Sequence, residues 1–365
     1  MAAAYLFTLV AMSAWQNIRQ LRSQPPPRVT NDRLGVFASA LEQAEHLMHA
    51  AANISYAARP LPLFYALSQA GRAIAAARLA GDAWRLAGHG LSMSKDGTEL
   101  LKRIVVPNVE RTGKPLARPN SFAGVSEATG SGRLSGGVAL GAVWAAMPDL
   151  TRPTPQMPTL DDDWRRPLRA YPLLPQSKAA KLVLLLDGLP DGLNATQINA
   201  ELAHYTIPFP TGVLTPGTAG QMLNARNFSA FDPTIVNPSG AFQRPEKPDG
   251  PLYSFHGGKR LPAIIVPSVT LVAGQQDSRI DQVAPRYSGK PDALICPRLG
   301  ERPVTRLMLW WLLLFILSNA ARYDPELWTN ALAVNTSQEA VPLEAALDIA
   351  LDLVPELVLQ ALTAE

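Results

Sequence analysis

Arg85 and His89 stand with three residues between them, just before a glycine at Gly90. An imidazole titrates near neutral pH and can give or take a proton, while a guanidinium can hold a scissile phosphate. Together the two could act on a phosphodiester. The plainer reading pairs Arg85 with an acid and lets His89 hydrogen-bond the loop backbone. Arg59, Arg322 and Tyr323 form a second set. Arg59 directly precedes Pro60, and Arg322 follows a wholly apolar run, both unusual places for a fixed charge. A guanidinium there must find carboxylates or carbonyls if buried. Left open, it makes an anion or phosphate pocket, with Tyr65 and Tyr323 beside it.

Glu42/His46 and Glu45/His49 are each four apart, on adjoining stripes of one helix. Two imidazoles and a carboxylate can bind a divalent ion, but such pairs are common on solvated faces, so no metal site is assigned. Glu344, Asp348, Asp352 and Glu356 recur every four residues, and no basic residue follows Arg322. Like charges at that spacing repel. Either the stripe faces open water, or a basic surface answers it, from the protein's own first part or from a partner. Asp187-Gly-Leu-Pro-Asp-Gly after an apolar run reads first as a turn. Thr129 to Gly137 is glycine-rich but lacks the Gly-Lys-Ser/Thr ending of a phosphate loop, and reads as flexible. No nucleophile elbow, zinc-protease helix or dinucleotide fingerprint occurs, and no cofactor is expected.

The elements that must carry these residues organise around Leu307 to Leu317, eleven apolar residues without a break. A helix apolar on every side must be buried all round, and the run is too short for a span of roughly 20 residues. Helices are also expected from Ala2 to Arg22, Leu34 to Asn53, Leu63 to Leu79 (with Gly71 offering close approach to a neighbour) and Ala139 to Met147, with a helical turn at Asp82 to Ala87. A further helix opens at Asp324-Pro325-Glu326, with an acceptor at the cap and proline in the first turn. A last one, from about Ser337 or Val341, bends at Pro355. The core helix itself is expected to start at Glu301 or Arg302.

Of 33 prolines, 22 lie between Pro148 and Pro303, so the middle should be short strands and loops. The clearest strands there are Lys181 to Leu186, His204 to Pro208, Leu252 to His256, Ala263 to Val272 and Ala293 to Cys296, with Arg103 to Val109 ahead of them. The expectation is an α+β fold: helical N- and C-terminal parts packed together around a buried C-terminal helix, and a Pro-rich, short-stranded β region in the middle. Residues 1–100 form the helical module, 101–300 the strand- and loop-rich middle, and 301–365 the returning helices, in one compact domain.

Composition sets outer limits. Hydrophobic residues are 47% and charged residues 17%, too apolar for disorder and too charged for a multispan membrane protein. The single cysteine, Cys296, excludes an internal disulfide and fits a reducing compartment. No basic residue precedes Arg19, unlike a secretory leader. Residues 1–150 carry 15 Lys/Arg against 9 Asp/Glu, and residues 301–365 carry 3 against 9. The acidic end is expected to dock on the basic beginning, unless that basic face serves nucleic acid.

Two stretches carry a resemblance. Arg59-Pro-Leu-Pro-Leu-Phe-Tyr65-Ala-Leu, followed by Gly88-His89-Gly90-Leu91, is similar to a segment of the YaaC-like family of bacterial proteins. Leu312 to Ser318, continuing through Arg322-Tyr323-Asp324-Pro325-Glu326-Leu327-Trp328, resembles that family's closing signature. The resemblance runs from about residue 40 to 330, with departures at Ala66 and Ala70. It implies a bacterial cytosolic protein with little assigned chemistry, in a family with relatives near defence or mobile elements. The Arg85/His89 pair also resembles the Arg–His motif of HEPN-type ribonucleases. Its spacing is shorter, however, and no polar residue follows the arginine.

The expected function is binding of a partner protein or nucleic acid through the basic N-terminal module, in the cytoplasm, with no membrane span and with homo-oligomerisation open. The alternatives are a metal-independent ribonuclease using Arg85 and His89, or a nucleotide or small-anion sensor at Arg59, Arg322 and Tyr323.

Overall fold

The computed structural model describes residues 14–94, 99–108, 118–150, 156–158, 160, 164–173, 179–207, 211–215, 251–272, 280–281, 283–284, 293–300 and 302–364. The expected opening of the first helix at Ala2, the start of the core helix at Glu301 and the strand ends at Val109 and Pro208 lie outside them. Two compact units result: Met1–Arg165 with Leu299–Glu365, and Arg166–Arg298. The α+β class is the one observed.

In the first unit, helix α1 covers residues 14–23. It is followed by α2 (Asn31–Ala52) and α3 (Pro60–Arg78), the latter with proline in its first turn. Short strands β1 (Leu91–Met93), β2 (Ile104–Pro107) and β3 (Val138–Ala139) form an antiparallel sheet. Helix α4 (Ser121–Ala128) precedes β3, and α5 (Leu140–Ala146) follows it. The core helix, α7, is Arg306–Tyr323. Helices α8 (Pro325–Ala331) and α9 (Ala340–Thr363) complete the unit.

Helix α7 is the centre. Trp310 to Leu314, Ile316 and Leu317 are all fully buried, so the apolar run is enclosed by protein on every side. Helix α3 is the other inner helix. Its alanines and Gly71 let it approach α7 closely, and a Cβ at Gly71 would sit 2.6 Å from Trp311 Cζ3. The start of α7 falls at Arg306 because residues 302–305 are engaged elsewhere. Pro303 O accepts from Gly132 N–H at 2.6 Å, and Thr305 N–H donates to Ser131 Oγ at 3.0 Å.

Those bonds correct the reading of residues 129–137 as flexible. Leu134 bridges Gly300, Ser131 is buried, and a Cβ at Gly132 would meet Arg302 O at 2.2 Å. Gly132 is there for backbone-to-backbone approach. The segment Ser121 to Ala128 is likewise a helix, with Asn120 as its N-cap: its side chain accepts from Ala123 N–H at 2.8 Å.

Charge ties the unit's helices together. Arg33, buried in α2, donates to the carbonyls of Ala76 (2.9 Å), Leu79 (2.7 Å) and Gly81 (2.6 Å) at the end of α3, where the helix dipole favours a cation. Arg103 pairs with Asp324, the N-cap of α8. The basic beginning and acidic end do meet. The first unit holds 20 Lys/Arg against 21 Asp/Glu, so its net charge offers no general attraction for a polyanion.

The second unit is an antiparallel sheet. Its strands are β4 (Leu168–Leu173), β5 (Ala179–Asp187), β6 (Gly212–Val213), β7 (Tyr253–His256), β8 (Lys259–Val272) and β9 (Ala293–Ile295). The order is β6-β8-β5-β4-β9, with β7 also pairing β8. Alternation gives β5 two faces. Leu182, Leu184 and Leu186 join Ile198 and Leu202 of helix α6 (Ala195–Leu202), while Val183 and Leu185 join Leu261, Ala263 and Ile265. Residues 204–207 form no strand as expected there. Tyr205 makes an isolated bridge to Pro297, and Thr206 N–H donates to Cys296 O at 2.9 Å.

Candidate anion-binding surface around His89

Three elements of the first unit bring Tyr65, Arg72, His89, Arg322 and Tyr323 together. Tyr65 and Arg72 are seven residues apart in α3 and therefore share a stripe. Arg322 and Tyr323 are the last two residues of α7. His89 sits between Gly88 and Gly90, whose φ values of 66° and 81° only glycine adopts readily.

That loop is pinned on both sides. Ser121 N–H donates to Gly88 O at 3.1 Å, Phe122 N–H to His89 O at 3.0 Å and Asn108 N–H to Gly90 O at 2.9 Å. Gly90 is also required sterically: a Cβ there would lie 1.9 Å from Asn120 Oδ1. The imidazole rests on buried Phe64, with ring centroids 5.5 Å apart, and near Phe315 and Tyr65 at 6.5 and 6.4 Å. The residue still reaches solvent.

Burial against the aromatic rings, then the Arg72 and Arg322 charges, lower the His89 pKa below the usual imidazole value. Arg322 Nη1 lies 3.4 Å from the Tyr65 hydroxyl, and its guanidinium is 4.9 Å from the Tyr323 ring centroid. Among the described residues, neither Arg72 nor Arg322 has a carboxylate within ion-pair distance. The C-terminal carbonyls of α7 ease the Arg322 charge but supply no counter-ion. Two exposed guanidinium groups beside an imidazole and tyrosine rings can hold an anion, and the aromatic surface can take a flat partner.

The other sequence candidates lie elsewhere. Arg85 is exposed. Its Nε is 3.3 Å from Asp82 Oδ1, its Nη2 is 3.7 Å from Asp32 Oδ2, and its guanidinium lies 4.6 Å from the Trp84 ring. The cations beside His89 are thus Arg72 and Arg322. Arg59 is 8% exposed, and its donors are used. They go to Ala51 O at 3.0 Å, Ile54 O at 3.2 Å and Asp348 Oδ1 at 2.5 Å, while Tyr56 donates to Asp348 Oδ2 at 2.9 Å. Arg59 therefore serves to join α3 to α9, and of its set only Arg322 and Tyr323 belong to the surface.

Glu45 and Glu42 meet arginines of α1. Arg19 Nε donates to Glu45 at 2.7 Å, and Arg22 lies 3.2 Å from Glu42. His49 is 3.8 Å from Glu45. Among the described residues no group of three or more His, Cys, Asp or Glu side chains could hold a metal ion. Asp187 ends β5 and pairs with Lys259 at 3.1 Å.

In the acidic stripe, the protein's own Arg59 answers Asp348, but among the described residues no cation pairs with Asp352. Burial, then the like charges of Asp348 and Glu356, raise the Asp352 carboxyl above its ordinary range. The folded state then binds that proton more tightly than the unfolded chain. Stability from this group is present at low pH and is lost as pH rises through the raised value. Asp352→Asn should raise Tm by about 1–2 °C near neutral pH. The gain should vanish below the ordinary Asp value of about 3.9. Thermal melts of both proteins across that pH span check this, and an equal gain at every pH would contradict it.

Arg72 escaped the sequence reading. Its signal was an arginine in the middle of an alanine-rich helix, two turns after Tyr65. Phe64 and Phe315, which back the imidazole, read only as core.

The family model for YaaC-like Protein matches residues 12–164 and 257–362. The chain belongs to the YaaC-like family. The matched residues take in most of the first unit, including all five residues of the surface, and residues 257–298 of the second. No match was found among the curated proteins or among the solved structures. Among the described residues no helix is long and apolar enough to cross a membrane.

Proposed function

We propose that this YaaC-like chain binds nucleic acid, with Arg72 and Arg322 contacting backbone phosphates on the surface around His89. The observation that carries this reading is the pair of exposed guanidinium groups with no carboxylate partner among the described residues, set beside an imidazole and two tyrosines. Net charge contributes nothing to it, since the first unit is almost neutral. Affinity should therefore be modest and should depend on a few local contacts.

Fluorescence anisotropy with labelled RNA and DNA oligonucleotides across a salt series tests the reading. The wild type should bind at low salt. Arg72→Gln and Arg322→Gln should each weaken binding and reduce the slope of log K against log salt by about one. Both residues are exposed, so melting temperatures should stay close to the wild type. The reading fails if the wild type does not bind at low salt, or if both variants bind with the wild-type slope.

RNA cleavage is a second reading, supported by His89 alone of the original pair. A lowered imidazole pKa leaves it unprotonated at neutral pH, ready to accept a proton. Here Arg72 or Arg322, rather than Arg85, would face the phosphate. His89→Ala should then abolish cleavage of a labelled RNA while binding persists.

A further inference from the structure

We infer that the nucleic acid taken by this surface is single-stranded, with an unpaired base seated on the Tyr323 ring while Arg72 and Arg322, beside His89, face the neighbouring phosphate. This rests on the binding reading above and narrows it to a substrate class.

The argument begins with Tyr323. It is the last residue of α7, a helix otherwise buried almost throughout, yet it is 69% exposed. A large ring left in water at the end of a core helix gives nothing to packing. Its near neighbour is the Arg322 guanidinium, 4.9 Å from the ring centroid, itself held beside the Tyr65 hydroxyl. The guanidinium lies over one face of the phenol ring, which leaves the exposed other face as a flat, polarisable platform with a positive charge beneath it.

Bases stack on such platforms when their faces are free. In a duplex both faces of every internal base are covered by neighbours, so the platform gains nothing along its length. A splayed single strand offers the base face and the adjoining phosphate together, which are the two things this cluster can engage. The backbone that carries the site is fixed, because α7 is buried and the His89 loop is held by three backbone hydrogen bonds. Binding then has side chains, but no backbone, to order.

The test uses the full chain and two fluorescein-labelled probes, an unstructured oligo-dT or oligo-U and a blunt duplex of the same length. The single strand should bind about tenfold or more tightly than the duplex. Tyr323→Leu should weaken single-strand binding by about tenfold, leaving the salt slope unchanged, and Tyr323→Trp should retain it. Arg72→Gln should instead reduce the slope. If duplex and single strand bind equally and Tyr323→Leu changes nothing while Arg72→Gln still weakens binding, the single-strand inference is overturned and the phosphate-binding reading stands. If neither probe binds at low salt, both fall. If uridine monophosphate competes as tightly as the oligonucleotide, the surface is a mononucleotide site and the strand inference is overturned.

Discussion

Asp149→Ala is expected to destabilise the first unit by about 3–5 kcal/mol. Asp149 is 5% exposed and lies in the short turn of 3-10 helix Pro148–Leu150. Its carboxylate pairs with Arg306 and accepts from Trp310 Nε1 at 2.9 Å. Both partners belong to the first turns of α7. A cation at a helix N-terminus is opposed by the dipole, and the Asp149 carboxylate offsets that. Alanine would leave a guanidinium that is 13% exposed without this counter-charge, and would strip a fully buried indole N–H of its acceptor. Because α7 is the core of the unit, the loss cannot stay local. Replacing both ends of the pair, as Asp149→Leu with Arg306→Met, should recover much of the loss, since apolar residues of similar size need no counter-charge. Urea denaturation of the three proteins separates these outcomes. A loss no larger than that of an ordinary surface substitution would mean that the pair is not buried as described.

Gly71→Ala should cost about 2–3 kcal/mol despite alanine's better helix propensity. The added Cβ would lie 2.6 and 2.8 Å from Trp311 Cζ3 and Cη2 and 2.9 Å from Val125 Cγ2. Trp311 is fully buried in α7 and has no room to withdraw. Helices α3 and α7 must separate, and every contact between them weakens. Trp311→Phe supplies the control. The smaller ring vacates the space, and the indole N–H has no hydrogen-bond partner among the described residues, so no bond is lost with it. In that background Gly71→Ala should cost much less, with only the Val125 contact left to give, for a coupling energy of about 1–3 kcal/mol in a double-mutant cycle. Additive costs would show that the two residues do not touch.

Both results concern contacts that the sequence shows only in part. Gly71 was recognisable as a point of close approach, because a glycine inside an alanine-rich helix has few other uses. Its neighbour was not, since Trp310 and Trp311 are indistinguishable within an unbroken apolar run. Asp149 gave no signal at all: a single acid after a proline looks like a turn residue. Burial made it a structural counter-ion.

The middle of the chain shows the limits of counting prolines. Strand β4 escaped notice because Pro172 lies in it. Its pairing with β9 stops at Ala170, so among the described residues Pro172 is on an unpaired edge, where a missing N–H costs nothing. Pro267 falls where the register between β5 and β8 shifts, a bulge that needs no donor. Helix α6 had a readable start in the reciprocal hydrogen bonds of Asn194 and Gln197, 2.9 Å each, but the proline-rich surroundings argued against a helix.

The chain's local chemistry determined its elements: the buried α7, the cap at Asp324, the apolar strand from Leu182 to Leu186 and the α+β class. These follow from apolar runs and capping, which act over a few residues. Only the tertiary structure decided which charges are spent and which are open. Arg59 and Arg322 look alike in sequence, each a guanidinium beside a proline or an apolar run. Arg59 is 289 residues from the Asp348 that neutralises it, and Arg322 is 257 residues from the Tyr65 beside it. Electrostatic partnership depends on distance in space, and no local pattern encodes a separation of that length.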